Sequence, residues 1–142
     1  MGVKDGIVTD ESEWPIVVHS TIGIPSEQDV EDFVRRADAI LARGERHAVV
    51  FDNTRGGSIP SYMRTRSVEW VERNKEALER LCVAKALVIR SAALRFLMTT
   101  LMLVTSHRIP EEVFSTREAA VEWARRQLEA AGVRVPRRSK IA

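Results

Sequence analysis

Cysteine and long apolar runs are scarce in this chain of 142 residues, and each scarcity excludes a class of protein. The single cysteine, Cys82, excludes an intrachain disulfide and a metal site built from several cysteines, and it fits a reducing cytoplasm. No apolar run approaches the roughly 20 residues of a membrane helix. Residues 1–11 also lack the apolar core of a secretory signal. We therefore expect a cytoplasmic protein without a membrane span.

Acidic residues are missing from segment 134–142, although the whole chain is nearly balanced in charge. The basic residues of this segment are Arg134, Arg137, Arg138 and Lys140. Without them the chain has 18 basic and 20 acidic residues, so the segment accounts for the formal net charge of +2. We therefore expect no nucleic-acid-binding face on the folded part. The length fits one domain, residues 1–133, and we expect 134–142 to be a solvated, disordered tail or, alternatively, a contact for an acidic partner.

Strands and helices alternate in the pattern that the sequence predicts. Apolar runs and alternation predict strands at Val3–Thr9, Trp14–Thr21, His47–Phe51, Val83–Ile89 and Val113–Phe114, with residues 10–13 as the turn of a first hairpin. Helical spacing predicts helices over residues 26–43, 61–80, 92–105 and 117–131, with Ser26, Ser61, Ser91 and Thr116 at their starts. The order β-β-α-β-α-β-α-β-α predicts an α/β fold with a mixed, mostly parallel sheet, an N-terminal antiparallel hairpin and about four helices.

A polar loop, residues 52–60, follows the strand His47–Phe51 and leads into the helix at Ser61. Because parallel strands end at the same edge of a sheet, this loop should lie beside the turn Arg90–Ser91. Hydroxyls, free amides and three arginines with no intervening acid, Arg55, Arg64 and Arg66, favour a phosphate or carboxylate ligand near the helix start. A flexible connection with a capping serine is the alternative. The recognition residues that we select are Asp52, Thr54, Arg55, Ser58, Ser61, Arg64 and Ser91.

No complete catalytic or metal-binding constellation is present in the sequence. Asp52 is a candidate general base or magnesium ligand, but we expect it to accept backbone N–H groups of its own loop. The histidines, which lack metal-ligand spacing and are expected to be structural, are His19, His47 and His107. Cys82 is interpreted as a small buried hydrophobe. We therefore predict no enzyme, metal or cofactor, with catalysis by Asp52 and a hydroxyl of Thr54 or Ser58 as the weaker alternative.

Helix 92–105 is unusual because it is apolar nearly all round, with Arg95 as its only charge. Such a helix is buried on both sides or meets a partner. Three interpretations remain open: packing in the core, a homodimer face, or the wall of a pocket for a lipid-like or other small ligand. The residues proposed for a dimer face or an apolar pocket are Phe96, Met98, Leu101 and Met102.

The chain resembles the STAS fold of bacterial anti-sigma-factor antagonists, and especially its divergent sporulation-protein-AA-like branch. The resemblance covers residues 14–128. It rests on the strand HAVVFDNT, the helix entry at Ser61, the strand VAKALVIR before a serine-capped helix, and the closing segment VFSTREAAVEWARRQL. The family implies a non-catalytic regulatory domain that binds a protein partner. Its branch also resembles lipid-binding Sec14-type domains in fold, which implies a carrier or sensor of an apolar or anionic ligand as the alternative.

In antagonists of this family, the resemblance implies, a serine or threonine at the start of the second helix is phosphorylated. Ser58 and Ser61 occupy roughly this place. The motif of the family is an Asp-Ser-Ser-Gly-like turn, whereas this chain has Gly57-Ser58-Ile59-Pro60-Ser61. Ser58 and Ser61 are therefore the possible phosphorylation sites, and a phosphate there would change the charge of the recognition loop.

Overall fold

The computed structural model describes residues 4–104, apart from the side chain of Val104, and residues 108–136. The strands are β1 Gly6–Glu13, β2 Ile16–Gly23, β3 His47–Gly56, β4 Cys82–Val88 and β5 Glu111–Phe114. The helices are α1 Glu27–Ala42, α2 Ser61–Arg73, α3 Lys75–Leu81, α4 Ala92–Val104 and α5 Arg117–Ala130. His107 and the basic residues of segment 137–142 lie outside the described residues, so the predictions made for them stay predictions.

The five strands form one sheet in the order of the chain, β1-β2-β3-β4-β5. β1 and β2 are antiparallel, and every later strand is parallel to its predecessor. This confirms the predicted mixed sheet with an N-terminal hairpin. Parallel neighbours need long crossovers, and α1, the α2–α3 pair and α4 supply them.

The hairpin turn lies later in the chain than predicted. Residues 10–13 belong to β1, and the reversal takes place at Trp14–Pro15, whose peptide bond is cis. Asp10 and Ser12 face outward in a strand of alternating burial, so their polarity indicated a turn where a half-exposed edge strand continues. The prediction that residues 10–13 form the turn was therefore wrong.

β3 is longer than predicted, and the second predicted helix is broken. Asp52 to Gly56 continue β3, because Ser20, Ile22 and Gly23 of β2 pair with Asp52, Arg55 and Gly56. The helix predicted over residues 61–80 is interrupted at Asn74, which separates α2 from α3. Pro60, not Ser61, occupies the cap position of α2, and Ser61 is the first helical residue. The described residues therefore form five helices, whereas the sequence predicts about four.

One face of the sheet packs tightly against α5. Small side chains of β3 and β4, such as Ala48 and Ala86, meet Ala120, Ala124 and Leu128, all of which are fully buried. Val135 also belongs to this core, so the packed unit extends past the predicted boundary at residue 133. The α5 start is fixed by Thr116, whose Oγ1 accepts the N–H of Ala119 at 3.2 Å, as the sequence predicted.

The opposite face is covered by α1, α2 and α3. Val30, Val34, Ala37 and Ile40 form the buried stripe of α1, whose start is a capping box between Ser26 and Asp29. α2, by contrast, has no buried residue. A cavity of about 480 Å³ lies beneath this helical layer. No helix in residues 4–104 and 108–136 is long and apolar enough to span a membrane.

Candidate functional site

The carboxyl ends of β3 and β4 bring most of the predicted recognition residues to one edge of the sheet. Arg90, at the end of β4, reaches the carbonyl of Thr54 with its NH1 at 3.4 Å. The register between β2 and β3 shifts after Ser20, so β3 carries an extra residue near Asn53–Thr54. Such bulges re-aim side chains at the ends of strands. The predicted convergence of the loop after Phe51 with the turn Arg90–Ser91 is confirmed.

Asp52 is buried at this edge and all its described bonds are to the protein. Its Oδ1 accepts the backbone N–H of Thr54 at 2.9 Å and the Thr54 hydroxyl at 2.7 Å. Its Oδ2 accepts from Nε of Arg117 at 2.9 Å. Burial alone would raise the pKa of Asp52, but the bonds from Thr54 and Arg117 outweigh it and hold this pKa below its ordinary value. The predicted role in accepting a backbone N–H is confirmed.

Arg117 is a member of the site that the sequence did not indicate. Arg117 is the first residue of α5 and joins Asp52 to Ser20. Its NH2 donates to Oγ of Ser20 at 2.5 Å. The ends of β2, β3 and α5 are thereby held together. No spacing motif could have shown this contact, because Arg117 and Asp52 are 65 positions apart.

The remaining recognition residues lie on the outside of the edge. Arg55, Ser58, Ser61 and Arg64 are all exposed, and Arg64 donates from NH1 to the carbonyl of Ile59 at 2.9 Å. The glycines between them keep the chain close to β2, since the N–H of Gly57 donates to the carbonyl of Gly23 at 2.8 Å. A side chain at Gly56 would collide with Asn53. Unlike Asp52, the four exposed side chains are not part of the buried hydrogen-bond network at the strand ends.

Arg66 does not join the other two arginines. Its Nε donates to Glu31 Oε2 at 2.9 Å, and the hydroxyl of Tyr62 donates to the same oxygen at 2.6 Å. Hydrogen bonds from Tyr62 and then Arg66 lower the pKa of Glu31, so the carboxylate keeps its charge beside Arg66. Arg66 therefore ties α2 to α1, and the anion site predicted from three arginines is reduced to Arg55 and Arg64.

The turn after β4 starts α4 in the predicted way. The hydroxyl of Ser91 accepts the N–H of Leu94 at 3.2 Å, which confirms Ser91 as the cap. Arg95, the only charge of α4, donates from NH1 to the carbonyls of Ile89 and Arg90 at 2.7 and 2.8 Å. The charged residue is thus used to fasten the helix to the end of β4.

α4 leaves its apolar side chains in solvent. Phe96 is 75% exposed, Leu101 48% and Leu103 82%, while Met98 and Met102 are half-buried. Core packing, the first of the three interpretations of this helix, is therefore wrong for most of its surface. None of Phe96, Met98, Leu101 and Met102 lines the cavity beneath α1, α2 and α3. The proposed roles of these four residues in a dimer face or a pocket stay predictions.

The histidines and the cysteine of the described residues are buried and are not poised for acid–base or nucleophilic chemistry. Burial, with Arg36 nearby, lowers the pKa of His19 to about 4. Burial also lowers the pKa of His47. Burial raises the pKa of the Cys82 thiol to about 11. In residues 4–104 and 108–136, no three side chains of histidine, cysteine, aspartate or glutamate are grouped as metal ligands.

Comparison with known proteins shows the fold of the chain, but not its family or its function. No family model and no curated protein matches the chain. An uncharacterised protein of the DUF3478 family with a SpoIIAA-like fold, from Shewanella loihica PV-4, is similar with a TM-score of 0.66 and 12% identity, covering 87% of this chain and 98% of that one.

Two anti-sigma-factor antagonists are similar as well. For unphosphorylated SpoIIAA the TM-score is 0.60 and the identity 17%, over 84% of this chain and 98% of that one. For an antagonist from Mycobacterium paratuberculosis the values are 0.53 and 16%, over 88% and 99%. At such identities the likeness concerns architecture alone. The chain therefore has the SpoIIAA-like, or STAS-like, fold that its sequence predicted.

Proposed function

We propose that the chain is a non-catalytic regulatory domain that binds a protein partner. The partner would bind the recognition surface, which we define as residues 55–61, Arg64, the turn Arg90–Ser91 and the exposed side of α4. The observation that carries the proposal is the exposure of α4, with Phe96 at 75% and Leu103 at 82%. Contiguous apolar surface with a polar rim is typical of protein–protein interfaces. The fold is shared with two anti-sigma-factor antagonists, which supports the same class of function.

The charge of the rim suggests how the binding is regulated. Ser58 and Ser61 are exposed beside Arg64, and Ser61 is the first residue of α2. A phosphate at this position would interact favourably with the start of the helix and with the neighbouring arginines. We therefore propose that phosphorylation of Ser58 or Ser61 switches partner binding, and that a protein kinase supplies it. The intact mass of the protein isolated from its own cells should then include a species heavier by one phosphate.

Photo-crosslinking tests the recognition surface directly. A photoreactive amino acid replaces Phe96 in one variant and Arg126, which is exposed on α5, in the other. In a lysate of the source organism, the Phe96 position should give a discrete adduct with a second protein and the Arg126 position should not. Adding Arg55→Ala and Arg64→Ala to the Phe96 variant should weaken the adduct severalfold. Equal adducts at both positions, or none at Phe96, would contradict the proposal.

Self-association is the second possibility for α4, as its sequence suggested. In the same experiment, an adduct of twice the mass of the chain would identify a homodimer. Sedimentation velocity of purified protein would then give a dimer that Leu103→Glu converts to a monomer. Either the double-mass adduct or the dimer in sedimentation would mean that α4 binds a second copy of this chain and not a different protein.

A further inference from the structure

A cavity of about 480 Å³ separates the sheet from its α1–α3 layer. Its walls are mainly apolar and aromatic. The apolar and aromatic residues of the lining include Phe33, Ile40, Val49, Phe51, Trp70 and Leu78. Small-molecule sites in proteins are concave, mostly apolar and of this size. α4 and α5 contribute no residue to the lining, so the cavity is distinct from both the candidate surface and the α5 core.

α2 lines the cavity with Trp70 and Val71 and is attached to α1 by polar contacts. Trp70 donates from Nε1 to Asp38 at 2.7 Å, while Tyr62 and Arg66 both bond Glu31. These bonds connect the two helices through polar side chains. α2 accordingly has no buried residue. Across the sheet, by contrast, fully buried alanines of α5 fill the space against β3 and β4.

His47 is a buried polar residue in the cavity wall. It lines the cavity and is only 1% exposed, and its Nδ1 lies 2.9 Å from the carbonyl of Glu45. A carbonyl can only accept, so Nδ1 carries the hydrogen. Burial lowers the pKa of His47, which keeps the ring neutral and leaves a lone pair on Nε2. The hydrogen bond of His47 to Glu45 uses Nδ1, so Nε2 is the nitrogen that can accept from a ligand.

The charges around the cavity balance one another. The lining contains the acids Glu72, Glu79 and Glu111 and the bases Lys75, Lys85 and Arg108. Lys85 Nζ lies 2.5 Å from Glu111, and Arg108 NH1 lies 3.9 Å from Glu79. An ionised ligand would therefore find no surplus of opposite charge, and its desolvation would be uncompensated.

From these observations we infer that the cavity binds an uncharged, mainly apolar small molecule whose hydroxyl or similar group donates a hydrogen bond to His47. The apolar walls favour the apolar part of the ligand, and the neutral imidazole of His47 accepts its hydrogen bond. This inference is independent of the partner-binding function, because the two sites share no residue.

Four probes, each built on an unbranched chain of eight carbon atoms, test the class of ligand. Isothermal titration calorimetry at neutral pH measures the binding of 1-octanol, methyl octyl ether, octanoate and octylammonium to the full chain. We expect saturable binding of 1-octanol, about fivefold weaker binding of the ether, which lacks a donor, and at least about tenfold weaker binding of both ions. Equal binding of octanoate, or no saturable binding of 1-octanol, would overturn the inference.

Matched variants on α1 test the place of binding. Ala37 is buried and lines the cavity, whereas Ala39 lies on the exposed face of the same helix. Ala37→Phe fills the space and should weaken 1-octanol binding at least about tenfold, while Ala39→Phe should leave it unchanged. If Ala37→Phe does not fold, Val71→Trp at the 46% exposed rim serves instead. Equal effects at positions 37 and 39 would contradict the cavity as the site.

His47→Phe tests the acceptor. The variant keeps a ring of similar size against Trp14, whose ring centroid is 5.5 Å from that of His47. It should remove the fivefold preference for 1-octanol over the ether without changing ether binding. A preference that survives His47→Phe would show that another group accepts the hydroxyl and would overturn the role of His47.

Discussion

Asp52 is the residue at which the ends of three elements meet. It accepts from Thr54 on its own strand and from Arg117 on α5, and Arg117 continues to Ser20 on β2. A general base needs a free lone pair directed at a substrate, but the bonds of Asp52 go to its own protein. Its lowered pKa serves the fold, because the carboxylate stays charged beside Arg117.

Replacing Asp52 should therefore destabilise the protein in a pH-dependent way. Asp52→Asn should lower the free energy of unfolding by about 1–3 kcal/mol near neutral pH, because Arg117 loses its buried charged partner. The pKa of Asp52 is lowered in the folded state, so its stabilising effect is complete above the ordinary carboxyl pKa. The effect disappears as the pH falls through the folded pKa. Urea unfolding of both proteins at about pH 7 and about pH 3 measures the change.

The control for this prediction is Glu112→Gln on β5, where the carboxylate is exposed. This variant should differ from the parent by less than about 0.5 kcal/mol at both pH values. A loss for Asp52→Asn that is the same at low and neutral pH would mean that the ion pair does not cause it.

Cys82 should react slowly in the folded protein. It is 7% exposed, and burial raises the pKa of its thiol to about 11, so little thiolate forms near neutrality. At about pH 8, Ellman's reagent should modify the native chain at least roughly 100-fold more slowly than the chain in denaturant. Reaction at similar rates would refute the burial of this thiol.

The contacts of Asp52 and Arg66 show which side-chain contacts a sequence can predict. That Asp52 accepts a backbone N–H was predicted, because the donor lies two positions away in Thr54. The contact with Arg117 was not, since only the packing of α5 on the sheet brings residues 52 and 117 together. The same limit applies to Arg66, which was grouped with Arg55 by sequence but bonds Glu31 on another helix.

Among the elements, α4 combines an apolar sequence with an exposed position. The periodicity of an all-apolar helix does not reveal which of its sides is covered, so the sequence alone allows three interpretations of α4. Burial by the core is now excluded for Phe96 and Leu103, which are 75% and 82% exposed. The stability of the fold should thus depend little on the outer side chains of α4.

Two leucine substitutions, one on α4 and one on α5, test how much each helix contributes to the stability of the fold. Leu103→Ala on α4 should change the free energy of unfolding by less than about 0.5 kcal/mol, because the side chain makes few contacts. Leu128→Ala on α5 should cost about 2–5 kcal/mol, because Leu128 is 0% exposed in the core. Chemical denaturation measures both. A large loss for Leu103→Ala would indicate that α4 is covered in solution, for instance by a second copy.

The bounds of elements were predictable where local chemistry decides them. Ser26, Ser91 and Thr116 were identified as caps, and each accepts the expected backbone N–H. The sequence predicts a loop at the polar end of β3, because the strand character of this segment comes from pairing with Ser20–Gly23 of β2. The break at Asn74 was also missed, since the apolar spacing of the α2–α3 segment continues across it.

For the molecule as a whole, the two faces of the sheet differ in how firmly they are covered. α5 buries Ala120, Trp123, Ala124 and Leu128 against one face, whereas the other face has a cavity beneath α2. Regions with few buried apolar contacts open locally at lower free energy than the core. The layer of α2 and α3 should therefore open without unfolding the sheet.

Amide hydrogen exchange monitored by mass spectrometry or NMR measures this difference. Amides of α2 and α4 should exchange at least about tenfold faster than those of β3, β4 and the middle of α5. Saturation with 1-octanol should slow exchange in α2 and leave α4 unchanged, because α2 lines the cavity and α4 does not. Uniform protection across all helices would contradict the proposed difference between the faces.

The strand order β1-β2-β3-β4-β5 has a consequence for the chain during its synthesis. Each strand pairs with the one made just before it, so the sheet can grow from one edge as the chain leaves the ribosome. α5, however, is made after every strand, and until it docks the face with Ala48, Val50 and Ala86 stays uncovered. The nascent chain therefore has an exposed apolar sheet face until α5 is made. Such a face can be bound by a ribosome-associated chaperone.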